Sequence, residues 1–282
     1  MTLLTKSVKE IQELLNGLPR PIGLVPTMGA LHAGHISLIN TSKQNCKTTV
    51  VSIFVNPLQF SPNEDFKQYP RDLKKDFDIC KENKADIVFA PSIEEFYPDI
   101  NKAKENLIIP PSNITGILCG KTREGHFNGV ATAVKNLFQI VQPDISYWGQ
   151  KDLQQYFIIQ WLIKELNLPI KAELLATIRE ANGLAYSSRN RYLSEPEKDI
   201  AAGFYKSLKL AKENLKSGIF TIGKSILESL IVLSHFPEIK VEYFEARDKQ
   251  TLEKIDEDRK NNFYFLIAGR VNNIRLIDNI EV

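Results

Sequence analysis

The run Thr48 to Val55, TTVVSIFV, constrains the fold of this chain more than any other stretch. It is dominated by β-branched residues, which suit a pleated, packed surface and lose rotamer freedom in a helix, so it reads as a strand. Segments of helical spacing lie on either side. Ser7 to Leu18 places Val8, Ile11, Leu14 and Leu15 on one stripe. Gly34 to Cys46 carries Ile36, Leu38 and Ile39, and Arg71 to Asn83 runs through Leu73, Phe77 and Cys80. Pro21 to Pro26 and Asp86 to Ala90 are short apolar runs that read as further strands. The alternation continues with a helix over Phe127 to Val141, a strand over Ile145 to Trp148, a helix over Asp152 to Leu166 and a strand over Ile170 to Thr177. Alternating strands and helices imply an α/β fold, a parallel sheet with helices on both faces, and such sheets bind ligands at the carboxyl ends of their strands.

The pattern changes near Arg179. Two helices, Ser194 to Leu215 and Ile222 to Leu233, precede three strands, Lys240 to Ala246, Phe263 to Ala268 and Asn273 to Ile280. Asp248 to Asn262 reads as a solvated loop or short helix. The expectation is a first domain over 1–178 and a smaller α+β domain over 179–282. The chain's 282 residues suit one large domain or two ordinary ones. The formal net charge is +2, and acidic and basic residues also balance in the tail from Arg191 to Val282, which argues against a nucleic-acid surface. Cys46, Cys80 and Cys119 form no paired motif and read as free thiols of a reducing compartment. The opening residues lack a secretory pattern and no apolar run is long enough for a membrane span, so the cytoplasm is expected.

Five stretches carry chemistry. In Pro26-Thr-Met-Gly-Ala-Leu-His-Ala-Gly-His35 a strand ends and a helix begins. Helix N-termini offer unpaired N–H groups and a positive dipole end to phosphates, Gly34 allows close approach, and His32 and His35 can donate to phosphate oxygens. Asn56 and Gln59 follow the TTVVSIFV strand directly. Their amides can fix a hydroxyl or carboxylate, and Asn-Pro is equally an ordinary turn. Gly120 to Gly129 sets Arg123 and His126 in a glycine-rich loop before a helix. Its spacing does not match the Walker phosphate loop, so it reads as a basic loop covering a site or as an exposed one. Gly149-Gln-Lys-Asp152 again joins strand to helix. A lysine beside the positive end of a helix is disfavoured without an anion, whereas Asp152 can simply cap. Gln155 lies one turn after Lys151. Arg179 to Arg191 holds Ser187, Ser188 and Arg189, which can grip a polyphosphate or form a polar linker.

Together with Phe54-Val-Asn-Pro-Leu-Gln-Phe60, Tyr69-Pro-Arg71, Gly125-His-Phe-Asn-Gly129, Gln154-Gln155, Arg179-Glu180, Ser187-Ser-Arg-Asn190 and Arg275-Leu-Ile-Asp-Asn279, these stretches resemble the pantothenate synthetase (pantoate–β-alanine ligase) family within the His-x-Gly-His nucleotidyltransferases. The resemblance implies a Rossmann-like first domain binding ATP and pantoate, a second closing over the ATP, a homodimer, and Mg²⁺ accompanying the nucleotide. It implies activation of pantoate as its adenylate, with pyrophosphate released, then attack by β-alanine with release of AMP. By position, ATP would meet Met28, Gly29, Ala30, Leu31, His32, Ala33, Gly34, His35, Gly149, Gln150, Lys151, Asp152, Ile178, Tyr186, Ser187, Ser188 and Arg189. His35, His32, Lys151 and Arg189 would carry the catalytic roles. Pro26, Met28, Asn56, Gln59, Arg123, His126 and Gln155 would line the substrate side, with Asp76 near Mg²⁺. Three positions depart from the pattern: Glu124 replaces an expected Pro, Gln150 an expected Glu, and Tyr186 an expected Met or Leu. The alternatives are a nucleotidyltransferase making a dinucleotide cofactor and a non-catalytic nucleotide sensor. The neutral amides Gln59 and Gln155 favour a hydroxy acid over a phosphorylated substrate.

Overall fold

The computed structural model describes residues 1–62 and 64–282. The chain forms two compact units, Met1–Gly149 with Gln154–Ala176, and Gln150–Leu153 with Thr177–Val282. In the first, strands β1 (Leu3–Thr5), β2 (Ile22–Thr27), β3 (Thr48–Ile53), β4 (Ile87–Phe89), β5 (Ile145–Gly149) and β6 (Lys171–Leu175) form one parallel sheet in the order β1-β4-β3-β2-β5-β6. Helices α1 (Val8–Asn16), α2 (Ala33–Asn45), α3 (Leu73–Glu82), α4 (Ile93–Phe96), α5 (Ile100–Glu105), α6 (Ser112–Thr115), α7 (His126–Val141) and α8 (Leu153–Glu165) connect them.

The strand sequences show why both faces are covered. Leu24, Val50, Ile87 and Trp148 join one core with Ile11 and Leu15 of α1 and Val130, Val134 and Phe138 of α7. Their neighbours Val25, Val51, Val88 and Tyr147 join a second core with Leu38 and Ile39 of α2 and Cys80 of α3. Successive strand residues face opposite sides, so near-continuous apolar runs are what two helix-covered faces require. From β2 the sheet grows one way through β3 and β4, and from β5 the other way through β6. The strand order reverses between β2 and β5, and sheets of this Rossmann-like kind hold ligands beyond the carboxyl ends of the strands at such a point.

The second unit is α+β. Strands β7 (Ile239–Asp248), β8 (Phe263–Val271) and β9 (Ile274–Glu281) pair antiparallel in that order. With α9 (Glu195–Ala201), α10 (Gly203–Lys216) and α11 (Ile222–Ser234) they enclose a core of Phe204, Leu208, Leu215, Leu233, Phe244, Phe263, Phe265 and Ile267. The single helix expected from Ser194 to Leu215 is two, α9 and α10, with the break at Ala202. The stretch expected as a solvated loop or short helix is a loop after Asp248, tied by a bridge from Arg247 to Lys254 and an ion pair from Arg259 to Asp248. β1 and the short helices α4 to α6 carry no sequence signal strong enough to predict them. Among the described residues no helix is long and apolar enough to cross a membrane.

Candidate active site

The chain leaves β2 through a tight turn into α2. Thr27 Oγ1 donates to Ser52 O at 2.7 Å and accepts from Gly29 N at 3.1 Å. Gly29 and Ala30 both have positive φ, 81° and 51°. A Cβ on Gly29 would lie 2.8 Å from Asp76 Oδ2, so conformation and space both call for glycine here. Asp76, 1% exposed, accepts from Ala30 N and Leu31 N, each at 2.8 Å. The turn delivers His32 to the N-cap of α2, where its Nδ1 accepts from Gly34 N at 3.2 Å. A neutral His32 therefore carries its proton on Nε2. The rings of His32 and His35 stack with centroids 4.0 Å apart. The first turn of a thirteen-residue helix thus presents two imidazoles beside its own N–H groups, an arrangement suited to a polyphosphate.

Asp76, the acid expected near Mg²⁺, holds the turn that leads into α2. Its carboxylate is buried and fixes the backbone of this turn, one N–H per oxygen. Burial, with the Asp76 charge, also pushes the neighbouring Cys80 thiol up to about 12, which keeps it protonated and inert. Among the described residues no group of three or more His, Cys, Asp or Glu side chains could hold a metal ion. Mg²⁺ seldom needs such a group, since it is commonly held by one or two carboxylates together with substrate phosphates and water.

A second constellation follows β3. Asn56, 2% exposed, has its amide fully engaged. Its Oδ1 accepts from Leu58 N at 3.2 Å and from the Tyr97 hydroxyl at 3.0 Å, and its Nδ2 donates to Gly129 O at 3.0 Å and Gln59 Oε1 at 3.1 Å. Asn56 thus frames Gln59. Held at its oxygen, the Gln59 amide turns its Nε2 to Met28 Sδ at 3.0 Å. Thioether sulfur is a weak acceptor, so a ligand oxygen can readily take its place. The 3-10 turn Pro57–Gln59 lies directly on α7, where a Cβ on Gly129 would meet Leu58 O at 2.1 Å and Gln59 N at 2.6 Å. Gly129→Ala is expected to cost about 1–3 kcal/mol by overpacking and to displace Gln59. A lowered urea midpoint is the check.

Arg123 and His126 meet in the same constellation. Arg123 Nε and Nη2 bind Glu64 at 2.6 and 3.1 Å, and Nη1 lies 2.8 Å from His126 Nε2. A guanidinium only donates, so Nε2 accepts, the proton lies on Nδ1, and Nδ1 donates to Gln59 O at 2.7 Å. The loop is pinned at its base while Glu124 stands exposed and Gly125 turns at φ 73°. Burial raises the Glu64 carboxyl, but the Arg123 hydrogen bond and charge, aided by Ser61 N–H and His126, bring it below its ordinary value of 4.5. A depressed carboxyl contributes stability that is present above the unfolded value and is lost as pH falls through the folded one. Glu64→Gln should therefore lower the urea midpoint at neutral pH and lower it progressively less below about pH 4.5. An equal loss at every pH would mean that the charge is not the cause.

The glutamine pair on α8 divides its work. Gln154 is spent on the fold: Oε1 accepts from Cys119 N at 3.0 Å, and Nε2 donates to Ile114 O and Ile117 O, both at 2.8 Å. Gln155 is half-buried and not committed in this way.

In the second unit, Gln150–Asp152 forms a 3-10 turn. Lys151 Nζ lies 3.3 Å from Asp152 Oδ1. Tyr186 N donates to Ile178 O at 3.0 Å, and Ser187 caps the 3-10 turn Ser188–Tyr192 by accepting from Arg189 N at 3.3 Å. Arg179 grips Asp278 through two N–H groups at 2.6 and 2.9 Å and lies over the Tyr205 ring with Cζ 3.6 Å from its centroid. Burial pushes the Asp278 carboxyl up, against the pull of the Arg179 hydrogen bonds and charge.

The model of the Pantoate-beta-alanine ligase family matches residues 3–281. The chain belongs to the pantoate–β-alanine ligase family. It is 43% identical over 279 residues to the pantothenate synthetase of Caldicellulosiruptor bescii, covering 98% of this chain and 96% of that one. It is 46% identical to the bifunctional pantoate ligase/cytidylate kinase of a Synechococcus strain, covering 92% of this chain but only 48% of that protein, so it spans about half the length of such bifunctional relatives. Pantothenate synthetase from Thermus thermophilus superposes with a TM-score of 0.93 at 36% identity, covering 100% of this chain and 99% of that one. The Francisella tularensis pantoate-beta-alanine ligase, described as complexed with beta-gamma ATP and beta-alanine, gives 0.80 at 34% identity, covering 100% and 98%.

Within this ligase framework, sequence reasoning missed Glu64, Tyr97, Asp278 and the packing role of Gly129. Glu64 gave no signal because its partner Arg123 lies 59 positions away. Gly129 and Asp278 did lie inside motifs that the resemblance had marked.

Proposed function

We propose that this chain carries out the family reaction in two steps on the constellations described. The pantoate carboxylate attacks the α-phosphorus of ATP, forming the acyl–phosphate bond as pyrophosphate leaves. The β-alanine amine then attacks the acyl carbon, loses a proton and expels AMP, giving pantothenate. The observation carrying the reading is the first turn of α2, where His32 and His35 stack beside the N–H groups of the helix N-terminus. Adenylyl transfer needs positioning and neutralisation of developing negative charge, and those donors supply both. Gln59, framed by Asn56 and facing Met28, is the donor for pantoate, with Gln155 as its companion. Lys151, Ser187 and Arg189 contribute contacts to the phosphates, and Mg²⁺ enters with the nucleotide. The protein works as a homodimer in the cytoplasm; the compartment is supported by three buried cysteines that form no disulfide among the described residues.

The test is pyrophosphate release from ATP on addition of pantoate, followed by AMP release that requires β-alanine. Folded protein that yields neither product with pantoate, or that turns over a phosphorylated acceptor instead, overturns the reading.

A further inference from the structure

We infer that Asn279 is a positioning residue for Lys151, acting through the backbone of the Gln150–Asp152 turn. The sequence marks Arg275-Leu-Ile-Asp-Asn279 as a motif, yet nothing in the two reaction steps uses it. Its last residue lies on β9 at 2% exposure, and its amide is devoted to the lysine turn. Asn279 Nδ2 donates to Gln150 O at 2.8 Å and to Lys151 O at 3.2 Å, while its Oδ1 accepts from Gln150 Nε2 at 3.0 Å. One amide therefore clamps two consecutive carbonyls and a side chain. Two carbonyls held from one point fix the peptide plane that launches the Lys151 side chain. No other amino acid of this size presents a donor and an acceptor in that way.

Asn279 is itself held. Its N–H donates to Asp278 Oδ1 at 2.8 Å, and Arg179 donates to Asn279 O at 3.3 Å as well as to both Asp278 oxygens. Arg179 in turn lies over the Tyr205 ring. The order is a rigid antiparallel strand, then a buried ion pair, then an amide clamp, then a lysine. A group that must meet a phosphate within a few tenths of an ångström gains from a support of this kind. Gln150, which departs from the family pattern, is itself part of the clamp: its amide nitrogen donates to Asn279 Oδ1, which a carboxylate at this position could not do.

The inference rests on Lys151 contacting ATP phosphates, so its test separates the two. Pyrophosphate release is measured with ATP and pantoate for wild type, Asn279→Ala, Lys151→Ala and the double variant, with Asn279→Asp as the isosteric variant should alanine fail to fold. Asn279→Ala is expected to raise KM for ATP on the order of tenfold or more, with KM for pantoate within about twofold. The double variant should be no worse than Lys151→Ala alone, because residues acting as one unit are not additive. Asn279→Asp sets a carboxylate against two carbonyls and should raise KM for ATP in the same direction. Full additivity in the double variant, or an unchanged KM for ATP in both Asn279 variants while Lys151→Ala is impaired, overturns the positioning role alone. An unimpaired Lys151→Ala removes the phosphate contact and the positioning role with it.

Discussion

His35→Ala is expected to slow pantoate-dependent pyrophosphate release by roughly a hundredfold or more, the scale of losing one preorganised transition-state donor. His35 occupies the first turn of α2, stacked on His32 with centroids 4.0 Å apart, where the helix N–H groups already favour anions. A donor aimed at charge that develops only as the α-phosphorus is attacked lowers the barrier without tightening ground-state binding. The loss should therefore fall on kcat and on kcat/KM together, leaving KM for ATP nearly unchanged. His32→Ala makes the contrast. His32 caps α2 through Nδ1, so its removal also costs on the order of 1 kcal/mol of stability, whereas the half-buried His35 has no capping duty. A first-step rate unchanged in His35→Ala, in protein with a wild-type urea midpoint, would rule out the role.

How much of this was legible beforehand depends on the range of the interaction. Leu24, Val25, Val50 and Val51 announce a sheet buried on both faces, because apolar runs without alternation have no solvent side to offer. His32 and His35 announce their site because both lie on one local turn. Asp76 was not legible in this way. Its carboxylate stabilises two backbone N–H groups from 45 and 46 positions away, and nothing in a helical repeat distinguishes such an acid from a solvated one or a metal ligand. The hydrogen bonds of the Asn56 amide to Tyr97, Gly129, Leu58 and Gln59 were no more legible. Residues with a ligand-facing chemistry were easier to find than those that hold them, because a holder is defined by a partner distant in sequence. Gln154 and Gln155 make the point side by side: identical side chains, of which one is spent on Cys119, Ile114 and Ile117.

The holder with the largest expected effect on stability is Asp278. Asp278→Ala should destabilise the protein by about 3–5 kcal/mol, the cost of stranding one member of a buried ion pair. Side-chain exposures are 5% for Asp278 and 16% for Arg179, so little solvent is at hand to replace the lost partner. Arg179 would keep Gly183 O at 3.2 Å, Asn279 O at 3.3 Å and the Tyr205 ring, which are dipolar contacts that do not neutralise its charge. Arg179 cannot shed its proton to escape, since guanidinium stays charged at any physiological pH. The loss should therefore appear undiminished at neutral pH as a lowered urea midpoint. Replacing both partners by apolar residues of similar volume removes the stranded charge, so Arg179→Met with Asp278→Leu should cost less than Asp278→Ala alone. That ordering separates an ion pair from mere packing. If Asp278→Ala stays within about 1 kcal/mol of wild type, or if the double replacement is the worse of the two, then β9 is held by its apolar contacts and the Arg179–Asp278 pair is incidental to them.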